Sequence, residues 1–240
     1  MQNNKTENTQ NGNVKNGKAP ERAFFVKDLD GQIAARAERI KEEFLDGFHA
    51  IKKYPKSVTF FGSARFSEDN PYYQKARAIA RKLCKDGFAV ITGGGPGIME
   101  AGNRGTHEEC GFGVGFNIEL PREQSLNPYI TDKTEFHYFF SRKVTLAFSA
   151  EAFVVFPGGF GTLDEFFEIL TLVQTKKIPR LPIILVGRAY WEPLHDFIVE
   201  TLLNKFKTIS PEDINLYRIE DDVDEIVKIV KAAPMRYEYD

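Results

Sequence analysis

The run FVVFPGGFGTLDEFFEIL, from Phe153 to Leu170, constrains this chain more than any other stretch. Phe153, Val154, Val155 and Phe156 are consecutive apolar residues, β-branched or aromatic, the composition of a buried strand. Pro157 has no N–H to give a ladder, so the strand is expected to end there. Gly158, Gly159 and Gly161 admit positive φ and leave the backbone bare for a second molecule to approach. From Thr162 onward, Leu163, Phe166, Phe167, Ile169 and Leu170 recur at helical spacing. A strand, a glycine turn and a helix start together aim unpaired N–H groups and the positive helix end at one spot. That arrangement suits a phosphate.

Two readings of the helix start stand side by side. Thr162-Leu-Asp-Glu165 has the pattern of a capping box, with Thr162 as N-cap and Glu165 bonding back to the Thr162 N–H. Glu165 is equally a candidate functional carboxylate. The three glycines favour a ligand, since a capped helix requires none of them. The two readings are compatible.

A chain of 240 residues can bury a substantial core. Its net charge of −2 gives no general electrostatic pull towards nucleic acid or membranes, and neither is expected as a partner. Cys84 and Cys110 sit in helix-like segments without metal-type spacing. No apolar run is long enough to span a bilayer and no signal-peptide core precedes the domain, so a cytoplasmic location is expected. Residues 1–22 read as a disordered polar tail and 23–240 as a single domain. That domain opens with an amphipathic helix at about 29–54, whose stripe Ile33, Ala34, Ala37, Ile40, Phe44, Leu45, Phe48 and Ile51 is expected to pack on the domain or on a second subunit.

Strands are predicted at 58–62, 88–92, 112–118, 153–156 and 182–186, with a short one near Tyr217. Helices are predicted at 71–85, from the Gly93–Gly97 turn to about Cys110, at 136–148, from Thr162, at 191–206 and at 223–232. Alternating strands and helices predict an α/β fold, a Rossmann-like doubly wound parallel sheet with helices on both faces. Ligands of such sheets lie beyond the carboxyl ends of the strands. The loops Gly62–Arg65, Gly93–Glu100 and Pro157–Glu165 all leave that edge and are expected to meet in one cleft.

Several chemistries lack their parts. The pattern G-x-G-x-x-G fails at both glycine turns, and there is no G-x-x-x-x-G-K-[ST], G-x-S-x-G or H-E-x-x-H. The four histidines are scattered, His107 and His195 on helix surfaces and His137 nearer the cleft. A carboxylate and a cation remain. Arg142 and Lys143 stand near a helix start, where the dipole disfavours positive charge. They are either solvated or answered by an anion, with Glu165 or a phosphorylated ligand as the candidate.

The motif Pro157-Gly-Gly-Phe-Gly-Thr-Leu-Asp-Glu165 resembles PGGxGTxxE of the LOG family, the cytokinin riboside 5′-monophosphate phosphoribohydrolases, often mislabelled lysine decarboxylases. FGSAR at Phe61–Arg65, GGGPGIMEA at Gly93–Ala101 and FFSRK at Phe139–Lys143 extend the resemblance over roughly 57–232. The N-terminal helix resembles that of the longer bacterial members. Phe139 and Phe140 stand where short members usually carry a polar segment.

The resemblance implies hydrolysis of the N-glycosidic bond of a nucleoside 5′-monophosphate, giving free base and ribose 5-phosphate, in a homodimer or larger homo-oligomer. By motif position it implies Arg142 and Glu165 as the catalytic pair and Gly158, Gly159, Gly161 and Thr162 as the phosphate loop. Ser63, Gly94, Gly95, Met99 and Lys143 are expected to make further substrate contacts. No metal or organic cofactor is expected, and no motif nominates a pyridoxal-binding lysine. At a helix N-terminus Glu165 is expected to stay ionised and to stabilise an oxocarbenium-like ribose. The competing expectation is a carrier of nucleotide or molybdenum-type cofactor that hydrolyses nothing.

Overall fold

The structure, a computed structural model, describes residues 29–109, 111–119 and 126–235. The expected tail at 1–22 and Cys110 lie outside the described residues. Seven strands are described: β1 (Ser57–Phe61), β2 (Ala89–Thr92), β3 (Gly113–Ile118), β4 (Asp132–Phe136), β5 (Ala152–Val155), β6 (Ile183–Leu185) and β7 (Arg218–Ile219). They form one sheet in the order β4-β3-β2-β1-β5-β6-β7, and every pairing is parallel. The order reverses at β1, which pairs with β2 on one side and β5 on the other, so the crevice between β1 and β5 is the topological switch point.

The helices are α1 (Leu29–Lys52), α2 (Pro71–Lys85), α3 (Ile98–His107), α4 (Phe139–Ala147), α5 (Phe160–Gln174), α6 (Arg188–Asp196) and α7 (Val223–Lys231). Period-2 alternation divides the central strands between two cores. Phe61, Phe153 and Val155 point to the face covered by α1, α4, α5 and α6. Val58, Phe60, Val154 and Phe156 point to the face covered by α2, α3 and α7. Helices on both faces are the expected doubly wound arrangement. Trp191 anchors the first core, fully buried, with its indole N–H donated to the Val186 carbonyl at 3.1 Å.

Four local expectations change. The strand β4 was absent from the sequence reading, because Asp132-Lys-Thr-Glu-Phe136 is a polar edge strand in which Phe136 alone is buried. The helix expected over 191–206 begins earlier, at Arg188, and runs on from α6 without a break into a π-helical stretch at Phe197–Lys205. The inward face of α1 is Glu43, Gly47, Ala50 and Ile51, whereas Ile33, Leu45 and Phe48 of the expected stripe are exposed. Much of that apolar stripe therefore faces away from the domain. Finally, α5 begins at Phe160 with Gly159 as N-cap, so Thr162 lies inside the first turn and caps nothing. The capping box at Thr162–Glu165 is absent, because Gly159 is extended (φ −94°, ψ −159°) and starts the helix earlier. Among the described residues, no helix is long and apolar enough to cross a membrane.

Candidate active site

A cleft of about 840 Å³ opens at the carboxyl ends of β1, β2 and β5. All three loops expected there contribute to its wall: Ser63 and Arg65 after β1, Gly93 and Met99 after β2, and Gly158 to Glu165 after β5. Backbone bonds lock these loops together. Ser63 donates its N–H to Pro157 O, and Ile98 donates to Ser63 O, both at 3.0 Å. The second bond needs glycine at 97, where φ is +69° and a Cβ would run into the Ser63 carbonyl.

The first turn of α5 forms one wall. Its first internal bond is Leu163 N–H to Gly159 O at 3.1 Å, so the amides of Phe160, Gly161 and Thr162 carry the unpaired N–H groups of a helix start. None of Gly158, Gly159 and Gly161 has positive φ, so the glycines serve space rather than backbone conformation. A Cβ on Gly159 or Gly161 would meet nothing within 4 Å, whereas one on Gly158 would strike Thr162, its Cβ only 2.6 Å away. Two positions thus leave room for a ligand, and one lets Thr162 fold back over the turn. Tyr190, on α6, fixes the turn from outside by donating its hydroxyl to Gly158 O at 2.7 Å.

Arg142 forms the opposing wall. It shares a face of α4 with Phe139, one turn earlier, and both line the cleft. Its Nε donates to Phe116 O at 2.8 Å, and its guanidinium passes over Gly93, where any Cβ would collide with it. Arg142 Nη1 lies 3.9 Å from Glu165 Oε1, with the two side chains 12% and 17% exposed. Burial holds the guanidinium below its ordinary range, and Glu165 opposes that shift. Burial pushes the Glu165 carboxyl up to about 7, against the lowering pull of Arg142. The expectation of a firmly ionised Glu165 is therefore corrected: desolvation outweighs the helix dipole, in part because Glu165 sits in the second turn, away from the terminus. A carboxyl poised near 7 can exchange a proton at neutral pH, which an ordinary carboxylate does poorly.

Other expected contacts divide. Ser63 and Met99 face the cleft. Gly94 and Gly95 do not line it; their carbonyls accept the Asn127 side-chain amide at 3.1 and 3.0 Å, turning them towards the interior. Lys143 is also absent from the lining, its ammonium paired with Asp164 at 2.8 Å and Glu168 at 3.2 Å. One residue after Arg142 is about 100° round the helix, so the two cations have different uses. Sequence reasoning missed Tyr190, Ile118 and Phe66, which line the cleft from elements that no motif marks. Phe160 stands at the rim, 92% exposed, and Arg65 is exposed with no ion-pair partner among the described residues. Also among the described residues, no group of three or more histidine, cysteine or acidic side chains could hold a metal.

Comparison with known proteins addresses the same elements. The family model described as "Possible lysine decarboxylase" matches residues 99–230, from the start of α3 through α7. The chain belongs to the LOG family. A cytokinin riboside 5′-monophosphate phosphoribohydrolase from Rhodococcoides fascians is 28% identical over 159 residues, 64% of this chain and 79% of that protein. A probable enzyme of the same name from Oryza sativa is 31% identical, covering 66% of this chain and 64% of its own length. A pyrimidine/purine nucleotide 5′-monophosphate nucleosidase from Escherichia coli is 26% identical, and the match spans 36% of it. Among solved structures, the molybdenum cofactor carrier protein of Chlamydomonas reinhardtii superposes with a TM-score of 0.56 at 20% identity, covering 73% of this chain and 96% of that one. The last likeness is one of fold alone. LOG relatives therefore carry names of nucleotide-cleaving enzymes, while the shared fold extends to carriers.

Proposed function

We propose that this LOG protein hydrolyses the N-glycosidic bond of a nucleoside 5′-monophosphate to a free base and ribose 5-phosphate. The observation that carries the reading is the buried Arg142–Glu165 pair in the same cleft as the unpaired amides of the α5 start. A 5′-phosphate fits those amides, over the open Gly159 and Gly161. Ser63 and Thr162 hydroxyls are at hand for the same oxygens. The anchor would direct the sugar towards Glu165, and Phe139, Met99 and Ile118 supply apolar surface for a planar base.

The chemistry follows from the charges. As the C1′–N bond breaks, its electron pair goes to the base and positive charge develops on the ribose. Ionised Glu165 stabilises that charge and takes a proton from the water whose oxygen bonds C1′, while the departing base gains a proton at nitrogen. Water is thereby divided between ribose 5-phosphate and base, with no oxidant or reductant required. Arg142, 3.9 Å away, pulls Glu165 towards the charged form against the effect of burial.

Incubation with AMP, and separately with adenosine, tests this by chromatography of the products. AMP is expected to yield adenine and ribose 5-phosphate, and adenosine to remain intact. Tight AMP binding with no adenine released would favour a carrier instead. Equal cleavage of both would show that the α5 turn is not a phosphate anchor.

A further inference from the structure

The helix that carries Arg142 has no cap of its own. Tyr138 is the N-cap of α4 and offers no side-chain bond, and α4 is only nine residues long. Its start is instead held by a carboxylate from α1, 95 positions before Tyr138. Glu43 of α1 accepts the N–H of His137 at 3.0 Å through Oε1 and that of Tyr138 at 3.3 Å through Oε2. The Ser141 hydroxyl, in the first turn of α4, also donates to Glu43 Oε2. Glu43 is 8% exposed, and the burial of its carboxyl group is offset by these bonds and by Arg39 at 3.7 Å.

One turn further along, α1 presses on α4 so closely that a Cβ on Gly47 would come within 2.6 Å of Thr145 Oγ1. The Glu43 and Gly47 contacts define both the height and the rotation of α4 against the domain. Arg142 follows Ser141 directly, and among the described residues its guanidinium has one hydrogen bond, to Phe116 O. Its aim at Glu165 therefore depends on where α4 sits. The residues matched by the family model begin at 99, so α1 lies outside that match.

We infer that Glu43 is a positioning residue for Arg142, and that α1 is part of the catalytic apparatus rather than an appendage. This rests on the enzymatic reading above. The test is a double-mutant cycle on the full chain with AMP. Glu43→Ala is expected to lower kcat at least tenfold with KM within threefold, because the α5 turn is untouched. Glu43→Gln keeps one acceptor oxygen and is expected to fall only about threefold. In an Arg142→Ala background, Glu43→Ala is expected to cost nothing further, the non-additivity of residues that act through one another.

Glu151→Gln provides the comparison for a purely structural buried acid. Glu151 is 1% exposed and accepts Ser57 N–H at 2.7 Å at the amino ends of β1 and β5, away from the cleft, so its loss is expected to lower Tm with kcat unchanged. Wild-type kcat in Glu43→Ala, or an additive loss in the Arg142→Ala background, overturns the inference. Should Glu43→Ala not fold, Glu43→Gln decides: an unchanged kcat overturns the inference, and a threefold fall that vanishes in Arg142→Ala supports it. If the wild type binds AMP but releases no base, the enzymatic reading fails by itself. The positioning role rests on that reading and is then overturned with it, a result distinct from a wild type that releases base with an additive cycle.

Discussion

Replacing Glu165 by Gln should make this protein more stable above neutral pH. Burial raises the carboxyl from the ordinary 4.5 to about 7, so the folded state prefers it protonated. A carboxyl raised in this sense contributes no penalty below pH 4.5. Its cost grows as the unfolded chain ionises and the folded chain does not, and is complete once the pH passes 7. At roughly 1.4 kcal/mol per pH unit the whole effect is about 3 kcal/mol, and about 2 to 3 kcal/mol falls between pH 5 and pH 8. Glu165→Gln cannot ionise, so its stability relative to wild type should improve by that amount between the two pH values, whatever the amide costs in packing. For a chain of 240 residues this is a relative gain in Tm of about 5–10 °C. Denaturant unfolding at pH 5 and pH 8, wild type beside variant, measures it directly. A constant difference between the two proteins across that range would refute the desolvation argument. A difference that shrinks with pH would show Glu165 ionised more easily folded than unfolded, the behaviour of a capping carboxylate.

Arg142→Ala leaves Glu165 buried without its nearest cation, so turnover should fall at least tenfold and the acid limb of the pH–rate profile should move above 7, a shift that a pH series on the variant would detect. Gly161→Ala adds a methyl that touches nothing in the free protein, so stability should hold or rise by about 0.5–1 kcal/mol while KM for AMP rises at least tenfold. An unchanged KM would place the phosphate elsewhere. Phe48 and Phe148, at a 6.2 Å ring separation, and Phe140 expose an aromatic patch across α1 and α4, and we propose that it is covered by a second copy of the chain. Light scattering at micromolar concentration should show a dimer or larger, and a monomer there would remove that proposal.

Much of this arrangement was legible because it is local. The run Phe153–Phe156 could be little else than a buried strand, and Pro157 follows two residues after Val155, where β5 stops. The convergence of three loops followed from topology, since parallel strands present their carboxyl ends at one edge. What failed was decided by tertiary context. Thr162-x-x-Glu165 has the spacing of a capping box, yet the extended Gly159 started the helix earlier and carried Glu165 into the interior. Its raised pKa comes from burial that outweighs the lowering pull of Arg142, 23 positions away in sequence, and neither is visible to any local pattern. Lys143 looked equivalent to Arg142 until the helical turn sent it to Asp164 and Glu168. Nothing in the sequence near 43 announces a cap for α4; the one faint signal is a glutamate in register with Gly47 and Ala50 on the inward face.

The central claim is that the Glu165 carboxylate, in this cleft, drives cleavage of the glycosidic bond. The most direct measurement is kcat/KM for AMP from pH 5 to pH 9 in wild type and Glu165→Gln. Wild type should rise with pH through an inflection near 7 and then level, since the ionised carboxylate is the working form. Glu165→Gln should be lower by about a hundredfold or more at the plateau, roughly 2.7 kcal/mol, and should lack the inflection. Near-normal turnover by Glu165→Gln, or the same inflection persisting in it, would contradict the account.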